Sequence, residues 1–248
     1  MATKKKKTTK DKSAPNAAPE YFKGPVQHHH LRPVTPLTPV QKTFCVAYDA
    51  GQTAFVLHGV AGTGKTFLAL YKALQDALGS SGTKRIVIMR SAVPSREIGY
   101  LPGSEEEKMA AYQVPYMDLC ARLCGHPQAW EKLVAQEIVE FWSTSYIRGV
   151  TLDDAIIIVD ECQNMTDQEL NSIMTRVGAR SKVIFCGDFR QTDLNRRHDQ
   201  SGLADFMRTV SMMDEFRIIE FGIDDIVRSA LVKSYIIARL AVQSHAIK

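Results

Sequence analysis

The run GVAGTGKT at 59–66 has the composition and spacing of a phosphate cradle. Gly59, Gly62 and Gly64 open backbone angles that a side chain disfavours, so the N–H groups of Val60, Ala61, Thr63 and their neighbours can turn towards an anion. Lys65 adds a positive charge for the β- and γ-phosphates of a nucleoside triphosphate, and the Thr66 hydroxyl is a magnesium ligand. The apolar run AFVL at 54–57 leads into the loop and a helical pattern follows it. The loop therefore falls between a strand and a helix, whose positive end adds to the cradle. A glycine-rich turn with an incidental lysine would need no such context, so the expected cofactors are a nucleoside triphosphate and Mg.

Hydrolysis needs an activated water as well as a held phosphate. The run AIIIVD ends in Asp160, ninety-five residues after Lys65, and Glu161 follows it. A carboxylate at the tip of a nearby strand suits the metal, which assigns Asp160 to it beside Thr66, and Glu161 is placed to accept a proton from the attacking water. Paired acids after a strand are otherwise common as helix starts. A small-molecule kinase is the weakest enzyme class here, because it has no use for Glu161. A further run, KVIFCGDFRQTDL, ends in Asp188 and Gln191. These side chains could sense the γ-phosphate between the two earlier motifs or hydrogen-bond their own loop, and position alone leaves both readings open.

Short apolar runs must carry these residues: AFVLHG (54–59), RIVIMR (85–90), AIIIV (155–159), KVIFCG (182–187) and RIIEF (217–221). Helical patterns separate them. FLALYKALQDAL (67–78) is one, TDQELNSIMTRVG (166–178) another, with Thr166 and Glu169 as a capping box and Gly178 as a stop. The stretch 105–146 reads as largely helical, interrupted at Pro115 and near Gly125–Pro127. A closing helix is expected over 224–240, started by Asp224 or Asp225. Near-continuous apolar strands alternating with helices predict an α/β fold, a mostly parallel sheet covered by helices on both faces.

The charge is unevenly placed. Residues 1–40 hold eight Lys/Arg against two acids, a net +6, which leaves the rest of the chain at −2. Composition divides the chain into a disordered basic tail and linker, 1–37, and a single folded domain, 38–248. The tail could attract nucleic acid or could merely solubilise, and the triplet His28–His30 carries no assigned role. No apolar run approaches the ~20 residues of a bilayer span, and the N-terminus lacks an apolar signal region. Five cysteines, an odd number scattered through apolar segments, suit buried thiols in a cytoplasmic setting. Cys120, Cys124 and His126 have no nearby fourth ligand and read as apolar residues one turn apart rather than as a metal site.

VDECQN (159–164) and GDFRQTDL (187–194) resemble motifs II and III of superfamily 1 helicases and of the related PhoH-like ATPases. RSAVPSREIGYLPGSEEEKMAAYQVPYMDL (90–119) resembles the long signature of the PhoH-like family, matching at Arg90, Glu97, Gly99, Leu101, Pro102, Gly103, Lys108, Tyr112, Pro115 and Asp118 among others. Ser-Gly-Leu (201–203) and FGIDDIVRSALV (221–232) are similar to further family elements, and the resemblance covers about 38–240. Ser91, Arg96 and Ala111 depart from a usual proline, glycine and proline, and Ser229 stands where histidine is common.

The resemblance implies a RecA-like P-loop NTPase fold, magnesium-dependent ATP hydrolysis and helicase-like action on RNA or single-stranded DNA. It makes Gln191 the γ-phosphate sensor, Gln41 an adenine-reading glutamine and Arg228 an arginine-finger candidate; an ion pair between Arg228 and Asp224 is the plainer alternative. The chain has room for one RecA-like lobe, so the resemblance implies a homo-oligomer, a hexameric ring, with the short form known from bacteria and phages as the nearest type. The competing class is an ATP-driven conformational switch acting on a protein partner.

Overall fold

The computed structural model describes residues 21–79, 85–91, 105–144, 147, 149–188 and 197–245. Among the described residues six strands form, all but β3 from the apolar runs: β1 (Ala54–Gly59), β2 (Arg85–Arg90), β3 (Val139–Ser143), β4 (Ala155–Val159), β5 (Lys182–Gly187) and β6 (Phe216–Phe221). They form one sheet in the order β3-β2-β4-β5-β1-β6, with every pair parallel. This puts β5 between β1, which leads into the glycine-rich loop, and β4, which leads into Asp160.

Seven α-helices accompany the strands among the described residues: α1 (Pro39–Asp49), α2 (Lys65–Leu78), α3 (Glu105–Cys124), α4 (Ala129–Ala135), α5 (Asp167–Met174), α6 (Arg197–Val210) and α7 (Ala230–His245). Their starts follow local chemistry. Thr38 caps α1 by accepting the Gln41 N–H, with Pro39 in the first turn. Thr166 and Glu169 form the expected capping box of α5. Parallel strands buried on both faces alternate between two cores. Phe55 and Leu57 of β1 join Phe44, Leu70, Tyr116 and Trp130, whereas Val56 joins Leu170, Ile173, Phe185 and Phe206. Each such side chain stabilises the fold by roughly 1.5–3 kcal/mol on burial. The result is the expected α/β arrangement, a parallel sheet with α1–α4 on one face and α5–α6 on the other.

The structure departs from the sequence expectations in four places. Residues 139–143 lie within the stretch expected to be helical, yet form β3, an edge strand on β2. Helix α3 continues through Pro115; this residue is exposed, so water can satisfy the carbonyl that its ring deprives of a partner. Asp224 and Asp225 belong to a short 3-10 turn, Ile223–Asp225, and α7 begins only at Ala230. Asp225 accepts the Gly222 N–H and closes that turn on itself. Finally, residues 21–37, assigned above to the tail, lie against α3 and α4. Val26 is buried, its N–H donates to Gln136 and its carbonyl accepts from the same side chain, and the Arg32 N–H donates to the Leu123 carbonyl. Residues 1–20 lie outside the described residues. Among the described residues no helix is long and apolar enough to cross a membrane.

Candidate nucleotide site

The carboxyl ends of β1, β4 and β5 meet at one edge of the sheet, the usual place for a ligand in an open parallel fold. The loop after β1 is held from below by β6. Gly59 takes φ 116°, and a Cβ there would lie 2.1 Å from the Phe221 carbonyl oxygen, the same oxygen that accepts the Val60 N–H at 2.9 Å. Gly62 (φ 77°) and Gly64 (φ 85°) complete the left-handed turns, and α2 starts directly at Lys65. The loop therefore has the concave backbone expected of the 59–66 motif.

Lys65 is buried and donates to the carbonyls of Gly59 and Val60 at 2.9 Å each, and to Thr63 Oγ1 at 3.4 Å. Burial lowers the pKa of its amine, opposed by the carboxylates around it, Asp188, Glu161 and Asp160. Thr63 is itself tied to the loop by donation to the Val60 carbonyl. Gln41 is buried beneath the loop: its Nε2 donates to the Thr63 carbonyl at 2.9 Å, and its Oε1 accepts the Leu37 N–H at 2.7 Å. Helix α1 and the segment before it are thereby fastened to the phosphate loop.

Thr66 Oγ1 donates to Asp160 Oδ1 at 2.7 Å, so two residues ninety-four positions apart share one contact. The second oxygen of Asp160 accepts the Tyr116 hydroxyl, also at 2.7 Å. A threonine hydroxyl and a carboxylate oxygen in contact at the start of α2 form a hard, all-oxygen pair, which fits magnesium held partly by protein and partly by phosphate and water. Among the described residues no group of three or more His, Cys, Asp or Glu forms a protein cage for a metal, and Cys120 and Cys124 lie in the apolar core.

Glu161 stands next in the chain with φ 52°, a left-handed conformation uncommon for a glutamate. Its carboxyl pKa is raised, chiefly by burial and then by the Asp160 charge; the bond from Gln163 and the cations of Arg90 and Lys65 work against the rise. Gln163 Nε2 donates to Glu161 Oε2 at 2.5 Å, while Gln163 Oε1 accepts the Asp188 N–H at 3.0 Å. One buried amide thus spans from the acid after β4 to the end of β5. Asp188 is buried, and Gly187 is needed where it stands, since a Cβ would meet Gln163 Oε1 at 2.6 Å.

Arg228 lies in the connector between β6 and α7. Its Cγ is 2.9 Å from where a Cβ on Gly62 would be, and the neighbouring Val227 N–H donates to the Gly62 carbonyl at 3.0 Å. Among the described residues no ion pair joins Arg228 to Asp224. Gln191, the expected sensor, falls outside the described residues, as does the 92–104 part of the long signature. The residues of 59–66, Gln41, Asp160, Glu161 and Arg228 are brought together. Sequence reasoning missed Gln163 and Tyr116 as site residues. Gln163 was within reach, two residues after Glu161 in VDECQN, whereas nothing in the spacing of 116 points to Asp160.

A family model described as PhoH-like protein matches residues 33–239. The chain is 37% identical over 213 residues to a PhoH-like protein of Mycobacterium leprae, covering 86% of this chain and 60% of that protein. It is 38% identical to a Bacillus subtilis PhoH-like protein, over 79% of this chain and 60% of the relative. Protein PhoH of Escherichia coli K12 is 35% identical, over 80% of this chain and 56% of its own length. The match thus spans somewhat more than half of each relative. Among solved structures, a Pif1 helicase from Candida albicans covers 76% of this chain and 40% of its own at TM-score 0.34 and 16% identity, a partial overlap. With the family model running from the end of the N-terminal segment well into α7, and a third or more of the residues shared with each of these relatives, the chain belongs to the PhoH-like protein family.

Proposed function

We propose that this protein is a magnesium-dependent ATPase whose cycle is coupled to RNA or single-stranded DNA. The observation that carries the proposal is the Thr66–Asp160 contact at the mouth of the glycine-rich loop, with Glu161 beside it. Magnesium, when bound with the nucleotide, neutralises phosphate charge and orients the γ-phosphoryl group. The loop N–H groups and Lys65 hold the phosphates; Thr66 and Asp160 present oxygens to the metal. Glu161, its carboxyl raised by burial, accepts a proton from the attacking water. Gln163 fixes the Glu161 carboxylate and ties it to β5, beyond which Gln191 is assigned the γ-phosphate.

Gln41 keeps one amide hydrogen and lone-pair capacity beyond its two bonds, so it can read an adenine edge while bracing Thr63. Gln41→Ala is expected to weaken ATP binding about tenfold and to reduce the preference for ATP over GTP, measured by competition against a fluorescent nucleotide. Arg228, whose stem rests on Gly62 of its own chain, supplies transition-state charge. Arg228→Ala should retain nucleotide affinity and lose about a hundredfold in hydrolysis. Mixing it with Lys65→Ala separates the two sources of the arginine: restored activity means it acts across a subunit boundary, and none means it acts within its own subunit.

The family resemblance and the apolar exposed face of α7, with Leu231, Tyr235 and Val242 outward, support assembly into a homo-oligomer, for which a hexameric ring is the proposed form. The same face would serve the second reading, an ATP-driven switch on a protein partner. ATP hydrolysis measured with and without single-stranded RNA and DNA decides between them. Stimulation that weakens with salt supports the nucleic-acid reading, and deletion of residues 1–20, with their six lysines, tests the tail's share. A rate indifferent to every strand supports the protein partner.

A further inference from the structure

The Asp160 carboxylate is shared between two elements. Its Oδ1 faces Thr66 at the start of α2, and its Oδ2 takes a hydrogen bond from Tyr116 in the middle of α3. The Tyr116 side chain is 1% exposed, so water does not compete for that bond. Its ring is fixed independently of the hydroxyl, between Trp130 (centroids 6.3 Å apart) and Phe141 (5.6 Å). One turn earlier on the same helix, Tyr112 lies beneath the Arg90 guanidinium at 5.3 Å, and Arg90 is one of the cations acting on Glu161. Helix α3 thus touches Asp160 directly through Tyr116 and carries, in Tyr112, a ring against the Arg90 guanidinium.

We propose that Tyr116 is a positioning residue for the metal-binding carboxylate: it pins Oδ2 of Asp160 so that Oδ1 is presented to Thr66 and to magnesium. The proposal rests on the nucleotide-site reading above. A carboxylate held at one oxygen loses the rotation about its terminal bond that would otherwise turn either oxygen, or neither, towards the metal. The same hydrogen bond makes the position of α3 a determinant of metal affinity, although the helix bears no residue of the phosphate loop. A tyrosine that merely filled the core would leave metal affinity unchanged when its hydroxyl is removed.

Tyr116→Phe removes the hydroxyl and keeps the packed ring. The readout is equilibrium binding of N-methylanthraniloyl-ADP to the full chain, in EDTA and across a magnesium titration, with thermal melting as the check on folding. The expected result is metal-free binding within about twofold of wild type and a magnesium half-saturation raised about tenfold, as when a group supporting a metal ligand is lost. An unchanged magnesium half-saturation in the folded variant overturns the proposal. Independently of how that variant folds, 3-fluorotyrosine placed at 116 should give a fluorine resonance that moves on adding Mg·ADP and stays put on adding metal-free ADP; a resonance blind to Mg·ADP also overturns it. If wild-type protein binds the nucleotide with no magnesium dependence, the site reading fails, and this proposal with it.

Discussion

Glu161→Gln is expected to bind ATP as the wild type does, to hydrolyse it at least about a hundredfold more slowly, and to melt at a higher temperature at neutral pH. The first two outcomes follow from its assigned role. An amide cannot take a proton from water, while Lys65, Thr66 and Asp160, which hold the phosphates and metal in this account, are untouched. The third follows from the cost of keeping a buried carboxylate charged. Burial and the neighbouring Asp160 raise the Glu161 pKa in the folded protein, so the folded state holds this proton more tightly than the unfolded chain does. The stability linked to that proton is fully present below the unfolded value and is lost as pH rises through the folded one. At neutral pH the ionised Glu161 is therefore a burden, and glutamine removes it. The advantage of the variant in melting temperature should shrink as pH is lowered through the folded pKa, where the wild-type carboxyl is already neutral. Melting curves from neutral to acid pH, beside phosphate-release assays, check both parts. A variant less stable than wild type at neutral pH would contradict the electrostatic account, and one with undiminished turnover would remove Glu161 from the mechanism. The left-handed backbone at 161 is common to both proteins and does not enter the difference.

Gly59→Ala should be the most damaging glycine-to-alanine change among the described residues. The added carbon would lie 2.1 Å from the Phe221 carbonyl oxygen, a backbone atom of β6 that cannot move aside as a flexible side chain would. The φ of 116° is also one that alanine rarely adopts. Either β6 is pushed from β1 or the loop changes path, and both break the Val60 to Phe221 hydrogen bond. The expected loss is on the order of 3–5 kcal/mol, enough to lower the melting temperature by roughly 10 °C in a domain of this size. Nucleotide binding should fall with it, because the loop N–H groups no longer converge. Gly24→Ala is the control: nothing lies within 4 Å of a Cβ there, and a change of at most about 0.5 kcal/mol is expected. Denaturant unfolding of the two variants, with binding of a fluorescent nucleotide, checks the contrast. Wild-type stability and binding in Gly59→Ala would contradict the description of the loop.

What could be read before the structure was mostly what is encoded locally. The phosphate loop is eight consecutive residues whose glycines, lysine and threonine act through their own backbone, so spacing alone shows it. Asp160 and Glu161 were legible because an apolar run stops at them. β3 was not, since five residues, VEFWS, are too few to declare a period, and it is pairing with β2 that makes them a strand. The packing of residues 21–37 was hidden for another reason: buried Val26 and half-buried Phe22, Leu31 and Val34 are spread among prolines without a regular period, and backbone bonds help to hold them. The late start of α7 turns on Asp225 closing a turn with Gly222, a contact that competes with the helix start both acids suggested. Tyr116 and Gln163 lie at the far end of this scale. Tyr116 meets Asp160 across forty-four residues, through a helix orientation set by Trp130 and Phe141.

ATP hydrolysis at this site is tested by steady-state phosphate release by the wild-type chain, with magnesium and with EDTA, using Glu161→Gln as the blank. The mechanism requires release that depends on magnesium and disappears in the variant. Release no greater than the blank in the presence of magnesium would contradict it, and would leave the nucleotide as a ligand that this protein binds without consuming.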